Sequence, residues 1–147
     1  MTPPTGLTRD AGWQIGVSKT LPCAAKELWR LLLSPTGLPL WLGTTPRPAP
    51  ERGSPYRTAE GTEGEVRGWH EGTRIRLTHH PRGGHETTVQ LTLTPRPHGT
   101  QLRFHQERLR SAEERQSQRH HWRQVLDQIA QALPSPSGQP SSTGRQG

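Results

Sequence analysis

The hydrophobic positions change their period along the chain, and the changes mark the elements. Trp13, Ile15 and Val17 share one parity, so one face of a strand over 13–20 is apolar. Pro22 ends it. Ala25, Leu28 and Leu32 then recur at helical spacing within Ala24–Leu33, a run of good helix formers stopped by Pro35. Ser34 is placed to cap a second short helix over 36–42. Residues 43–54 carry Pro46, Pro48 and Pro50 in alternation, which predicts a stiff extended loop. A meander follows, punctuated by Gly61, Gly72, Gly83-Gly84 and Gly99. Within it Ile75, Leu77 and His79 oppose Arg74, Arg76, Thr78 and His80. Val89, Leu91 and Leu93 oppose Thr88, Gln90, Thr92 and Thr94. Leu102, Phe104 and Gln106 oppose Gln101, Arg103 and His105. One face packs and the other meets water, as in an antiparallel sheet.

The last periodic stretch is a long helix. Ser111 and Glu114 have the spacing of a capping box, and Trp122, Val125, Leu126, Ile129, Ala130 and Leu133 form one stripe. The order is one strand, two short helices, five strands and a long helix. That predicts an α+β fold in which a curved antiparallel sheet of about six strands is covered by the C-terminal helix, because the apolar face of the sheet has no other cover.

Composition alone argues for disorder. Hydrophobic residues make up 27% of 147, the formal net charge is +7, and Leu, Ile, Val and Phe together number 24. Placement overrules quantity, because the scarce apolar residues fall on strand and helix faces and all five Trp lie inside 13–133. Pro, Ser, Gly and Thr make up 11 of the 14 residues in 134–147, so this stretch is expected to be a disordered tail, and 1–12 a disordered N-terminal segment. The longest aliphatic run is Leu31-Leu32-Leu33, so no membrane insertion is expected. No secretory signal is visible at the start, and the single Cys23 fits a reducing cytoplasm. There are 17 Arg and 2 Lys. Arg67, Arg74, Arg76, Arg82, Arg96 and Arg103 have no aromatic platform among them, so specific nucleic-acid binding is not expected.

Several residues together carry a resemblance. They are Leu28-Trp29 with Leu32, Ser34-Pro35, Trp41, Gly53 with Tyr56, and Gly61 with Gly64-Glu65-Val66. The strand 88–93, Gly99-Thr100 with Leu102, and Trp122 complete the set. In this order and spacing the stretch 13–133 resembles the START-like, helix-grip superfamily (SRPBCC), in the branch similar to the activator of heat-shock protein 90 ATPase. The resemblance implies a cavity between sheet and long helix. The function it implies is binding of a small hydrophobic, amphipathic or anionic ligand. The alternative it implies is a protein-interaction module with a chaperone partner, in a bacterial, stress-related setting. Homodimers are common in the family. The separate N-terminal domain of the eukaryotic activator is not expected within these 147 residues.

The polar residues that interrupt the expected cavity lining are the candidate site. Arg115 and Arg119 share a helix side with Trp122, Leu126 and Leu133, and their guanidinium forks suit a carboxylate or phosphate. The other reading leaves both arginines solvated or paired with Glu63, Glu65 or Glu107. His79 and Gln106 lie on apolar strand faces, where they either orient a ligand or satisfy a neighbour. Trp41 and Tyr56 flank the stiff loop, as gates or as plain packing. His79-His80 and His120-His121 are poorly placed to chelate, so no metal is expected. No cofactor motif and no catalytic pair is visible, which leans the reading away from an enzyme, although a cyclase or hydratase role for His79 stays open. Cys23 stands near Lys26 at a helix start, which can lower a thiol pKa, but a single Cys in that place is more often inert.

Overall fold

A computed structural model of the chain describes residues 7–8 and 12–134. In chain order the elements are β1 (Leu7–Thr8), β2 (Gly12–Leu21), α1 (Ala25–Leu32), α2 (Leu38–Trp41), β3 (Pro55–Arg57), β4 (Glu63–His70), β5 (Arg74–His79), β6 (Thr87–Arg96), β7 (Gly99–Leu109) and α3 (Ala112–Ala132). The expected α+β helix-grip architecture is what forms. The strands make one curved antiparallel sheet in the order β1-β2-β7-β6-β5-β4-β3, and α3 lies against β2 and β7 and touches α2. The seventh strand is the two-residue β1, which pairs Leu7 with Trp13 inside the segment expected to be disordered. The rest of that segment, apart from Gly12, lies outside the described residues, as does the expected tail from 135 onward.

The strand parities behave as the pattern predicts. Ile15, Val17, Ile75, Leu77, Val89, Leu91, Leu93, Leu102 and Phe104 are buried on the inner face, and Trp122, Val125, Leu126 and Ile129 of α3 meet them. The outer face keeps Arg74, Arg76, Arg103 and their polar neighbours. Gly72 turns β4 into β5 at φ +83°, and Gly99 turns β6 into β7 where any Cβ would strike the Leu21 carbonyl.

Three details of the caps and bends differ from simple spacing. Ser34 Oγ accepts from Gly37 N at 3.0 Å and donates to Leu31 O, so it holds the turn into α2 and the cap position falls to Gly37. Ser111 Oγ accepts from Glu114 N at 3.0 Å, but the Glu114 carboxylate reaches past Ser111 to Arg110 N at 2.7 Å. It also takes His85 Nε2 at 2.8 Å, tying the β5–β6 connection to the start of α3. Between Trp13 and Ile15 the β2–β7 register slips, so that Glu107 and Arg108 together oppose Gln14. This is a β-bulge, and Arg108 sits in it at φ +70°.

Candidate functional site

In the space expected to be a cavity, three large aromatic side chains of the chain pack against one another. Trp41, at the end of α2, is 5% exposed, and its Nε1 donates to Leu32 O at 2.9 Å. Its ring lies 6.0 Å from Phe104 of β7, and Phe104 stacks on Trp122 of α3 at 4.5 Å with planes 18° apart. The helical stripe thus delivers Trp122 onto the middle of the sheet, where an offset aromatic pair is favourable.

A polar relay runs beside this stack. Trp122 Nε1 and Gln118 Nε2 both donate to Gln106 Oε1, at 2.8 and 2.9 Å. Gln106 Nε2 donates to Thr87 Oγ1 at 2.9 Å, and Thr87 Oγ1 donates to the His79 carbonyl at 3.2 Å. Gln106 is 2% exposed, and both its amide atoms are occupied by protein partners. His79 stands at the end of the relay. Its Nδ1 is buried without a hydrogen-bond partner among the described residues. Burial, aided by the nearby His121 and His80, pushes its pKa down to about 4, so the ring is neutral at physiological pH. The His121 ring sits edge-on to Trp122 at 4.8 Å, and partial desolvation lowers its pKa as well.

The remaining nominated residues separate from this group. Arg115 donates through Nε to the Gln14 carbonyl at 2.8 Å, so it pins α3 to β2 opposite the bulge. Arg119, half-buried one turn later, has no hydrogen-bond or ion-pair partner among the described residues. The glutamates proposed as their partners are paired elsewhere: Glu63 with Arg57, Glu65 with Arg67, and Glu107 with Arg76. Tyr56 on β3 is 7% exposed and donates its hydroxyl to Thr78 O at 2.7 Å; burial pushes its phenol pKa up. Of the seven nominated residues, the structure joins Trp122 to Gln106 directly. Trp41 is linked to them through Phe104, and His79 through Thr87. The Cys23 pKa is not lowered by its place at the helix start. Burial, with the neighbouring Glu27, raises it, so this thiol is a poor nucleophile.

Two features went unnoticed in the sequence. Gln118 lies four residues before Trp122, so helical spacing alone places it on the same face. Arg47, Trp29 and Trp69 converge on Glu71. Both indole N–H groups donate to its carboxylate, at 2.9 and 2.8 Å, Arg47 pairs with it at 3.2 Å, and the guanidinium lies 5.6 Å from the Trp69 ring. These contacts fasten the Pro-rich loop to the β4–β5 turn. No local sequence signal announces a four-residue meeting of this kind.

Open grooves lie away from the filled interior. One, of about 420 Å³, runs over the outer face and is lined by Arg52, Arg67, Arg76, Arg108 and by Glu65 and Glu86. Another, of about 860 Å³, lies between α1 and the end of α3, beside Cys23, Leu31 and Leu133.

A family profile described as "Activator of Hsp90 ATPase homolog 1-like protein" matches residues 22–134. The chain belongs to this family. The match begins at the end of β2 and runs through α3, so it spans the stack, the relay and the fastened loop. A comparison with curated proteins finds no match. Among solved structures, a protein of Mesorhizobium loti superposes with a TM-score of 0.68 at 23% identity, over 80% of this chain and 94% of that one. A Chromobacterium violaceum protein gives 0.66 at 24% identity, over 82% and 96%. The Aha1 dimer from Colwellia psychrerythraea gives 0.64 at 16% identity, over 85% and 98%. These likenesses establish the fold. No helix among the described residues is long and apolar enough to cross a membrane.

Proposed function

We propose that this chain acts as a protein-interaction module of the chaperone-activator type, binding a partner on its surface rather than enclosing a ligand. The observation that carries this reading is the occupied interior. The Trp41–Phe104–Trp122 cluster fills the region under α3, and the one buried amide there, Gln106, is satisfied by Trp122, Gln118 and Thr87. A ligand entering would have to break the stack and leave those groups without partners, at a cost of several kcal/mol. The family name points to a chaperone ATPase of the heat-shock protein 90 class as the partner, and the Colwellia relative supports a dimeric state for this chain. The test is capture of that chaperone by the immobilised chain, together with native mass spectrometry of gently purified protein. Chaperone capture with a bare protein mass is expected. A tightly retained small molecule without chaperone capture would reverse the reading.

One observation favours a second reading. His79 Nδ1 is buried without a partner, and Arg119 is half-buried with a free guanidinium. A small amphipathic acid that reached either group would give it a partner. Native mass spectrometry separates the two readings, since only this one leaves a mass increment that alanine at Arg119 removes.

A further inference from the structure

Two of the arginines that line the outer-face groove make no ion pair among the described residues. Four arginines line it against two glutamates. Arg67 pairs with Glu65 at 2.7 Å and Arg76 with Glu107 at 2.6 Å, so two of the four are neutralised. Arg52 makes one long contact, 3.5 Å to the Arg67 carbonyl. Arg108 has no side-chain partner among the described residues, and both Arg52 and Arg108 are exposed.

The backbone at Arg108 carries the argument further. It is the one residue other than glycine, among those described, that adopts a positive φ, at +70°. For an L-residue with a long side chain that conformation is strained by roughly 1–2 kcal/mol, and Gly or Asn relieves it. The bulge that imposes it is locked from two sides. Arg115 holds the Gln14 carbonyl at 2.8 Å, and His105 Nε2 meets Gln14 Oε1 at 2.8 Å. A bulge re-aims a side chain, and here the re-aimed side chain is a free guanidinium over a basic groove. The bulge also serves packing at Gln14, but the Arg108 side chain it aims outward makes no contact that would require an arginine there, which points to binding.

From this we infer that the groove over β4, β5 and β6 binds an acidic peptide segment of a partner protein, with Arg52 and Arg108 as the carboxylate-recognising pair. The guanidinium fork matches a carboxylate in two parallel hydrogen bonds. The interleaved Glu65 and Glu86 break up the positive field, which favours the spaced carboxylates of an acidic segment over the continuous phosphates of a nucleic acid, and no aromatic ring lines the groove for bases to stack on. The inference rests on the protein-interaction reading and names the chemistry of the contact.

The experiment is a fluorescence-anisotropy titration of the full chain with a short labelled peptide of alternating Glu and Gly, and in parallel with a labelled single-stranded DNA. The variants are the double change Arg52→Gln, Arg108→Asn and, as a control, Arg123→Gln on the exposed side of α3. Asn tolerates the left-handed conformation, so the double variant is expected to melt no lower than the wild type. The peptide should bind in a salt-sensitive way, and the double variant should lose about tenfold or more in affinity. Equal losses in the Arg123 control, or DNA binding in place of peptide binding, would overturn the inference. Chaperone capture separates the two proposals. If wild type and double variant capture it equally, the groove inference falls and the proposed function stands. If neither captures it while the peptide result holds, the groove stands and the chaperone reading falls.

Discussion

A buried amide with both polar atoms occupied is costly to remove. Gln106→Leu keeps the volume roughly but leaves Trp122 Nε1, Gln118 Nε2 and Thr87 Oγ1 short of a partner. Leaving such groups unmet predicts a loss of about 2–4 kcal/mol, read as a lower urea midpoint at unchanged slope. An unchanged midpoint would mean that the relay contributes nothing. His79 makes the opposite prediction. Its folded pKa of about 4 lies below the ordinary 6.5, so between those values the unfolded chain binds a proton that the folded chain refuses. Stability therefore falls as pH drops from about 6.5 to about 4, by something on the order of 3 kcal/mol at full effect. His79→Leu removes this part of the acid sensitivity. It also removes the unpartnered Nδ1, so at neutral pH the variant is expected to be no less stable than the parent. Urea unfolding across that pH range checks both. His105 and His121, lowered in the same direction, leave a residual slope.

At the scale of elements, the connections most exposed to the solvent are held by few groups. The Pro-rich loop is fastened by Glu71, which receives two indole N–H groups and Arg47. These contacts hold the Glu71 carboxyl below its ordinary range; the Trp69 hydrogen bond is the largest cause. The carboxylate is largely exposed, so its contribution to global stability is about 1 kcal/mol or less. Its contribution to local order is larger, because the only other contact that holds Arg47 among the described residues is the Trp69 ring, which Glu71 itself orients. Glu71→Ala is expected to leave the melting temperature nearly unchanged while making the Arg52–Gly53 bond several times more sensitive to trypsin. Equal cleavage rates would show that the prolines alone hold the loop. The start of α3 gives the converse case. Ser111→Ala removes the cap on Glu114 N and should cost about 1 kcal/mol in urea unfolding.

For the molecule as a whole, what could be read from the chain followed from periodicity. Period-two strands and the α3 stripe are local patterns, and they fixed the sheet's inner face and the helix that covers it. The site was legible only where it shares that locality. Trp122 and Gln106 sit on the predicted faces and do meet. Arg115 also faces inward, but a bulge one strand away offers it a carbonyl, and no spacing rule reports a bulge. The Glu71 cluster brings in Arg47 and Trp29 from 24 and 42 positions away, which is a property of the finished fold.

The same distinction decides between cavity and filled core. A helix-grip fold can enclose a void or close it, and the choice depends on the size of the side chains at facing positions. Here Phe104 and Trp122 stack at facing positions, and under the proposed function that stack closes the void. If this is right, room appears only when one of them is cut away. Trp122→Ala should destabilise the chain by about 3–5 kcal/mol and open a mainly apolar void next to the freed Gln106 Oε1. Indole has the shape of the missing ring and the missing N–H donor. It is expected to raise the melting temperature of the variant in proportion to ligand occupancy, and to leave the wild type unmoved. Stabilisation of the wild type by indole would reveal room beneath α3 that the stack leaves open. The case for a surface-binding module would then give way to an enclosed ligand.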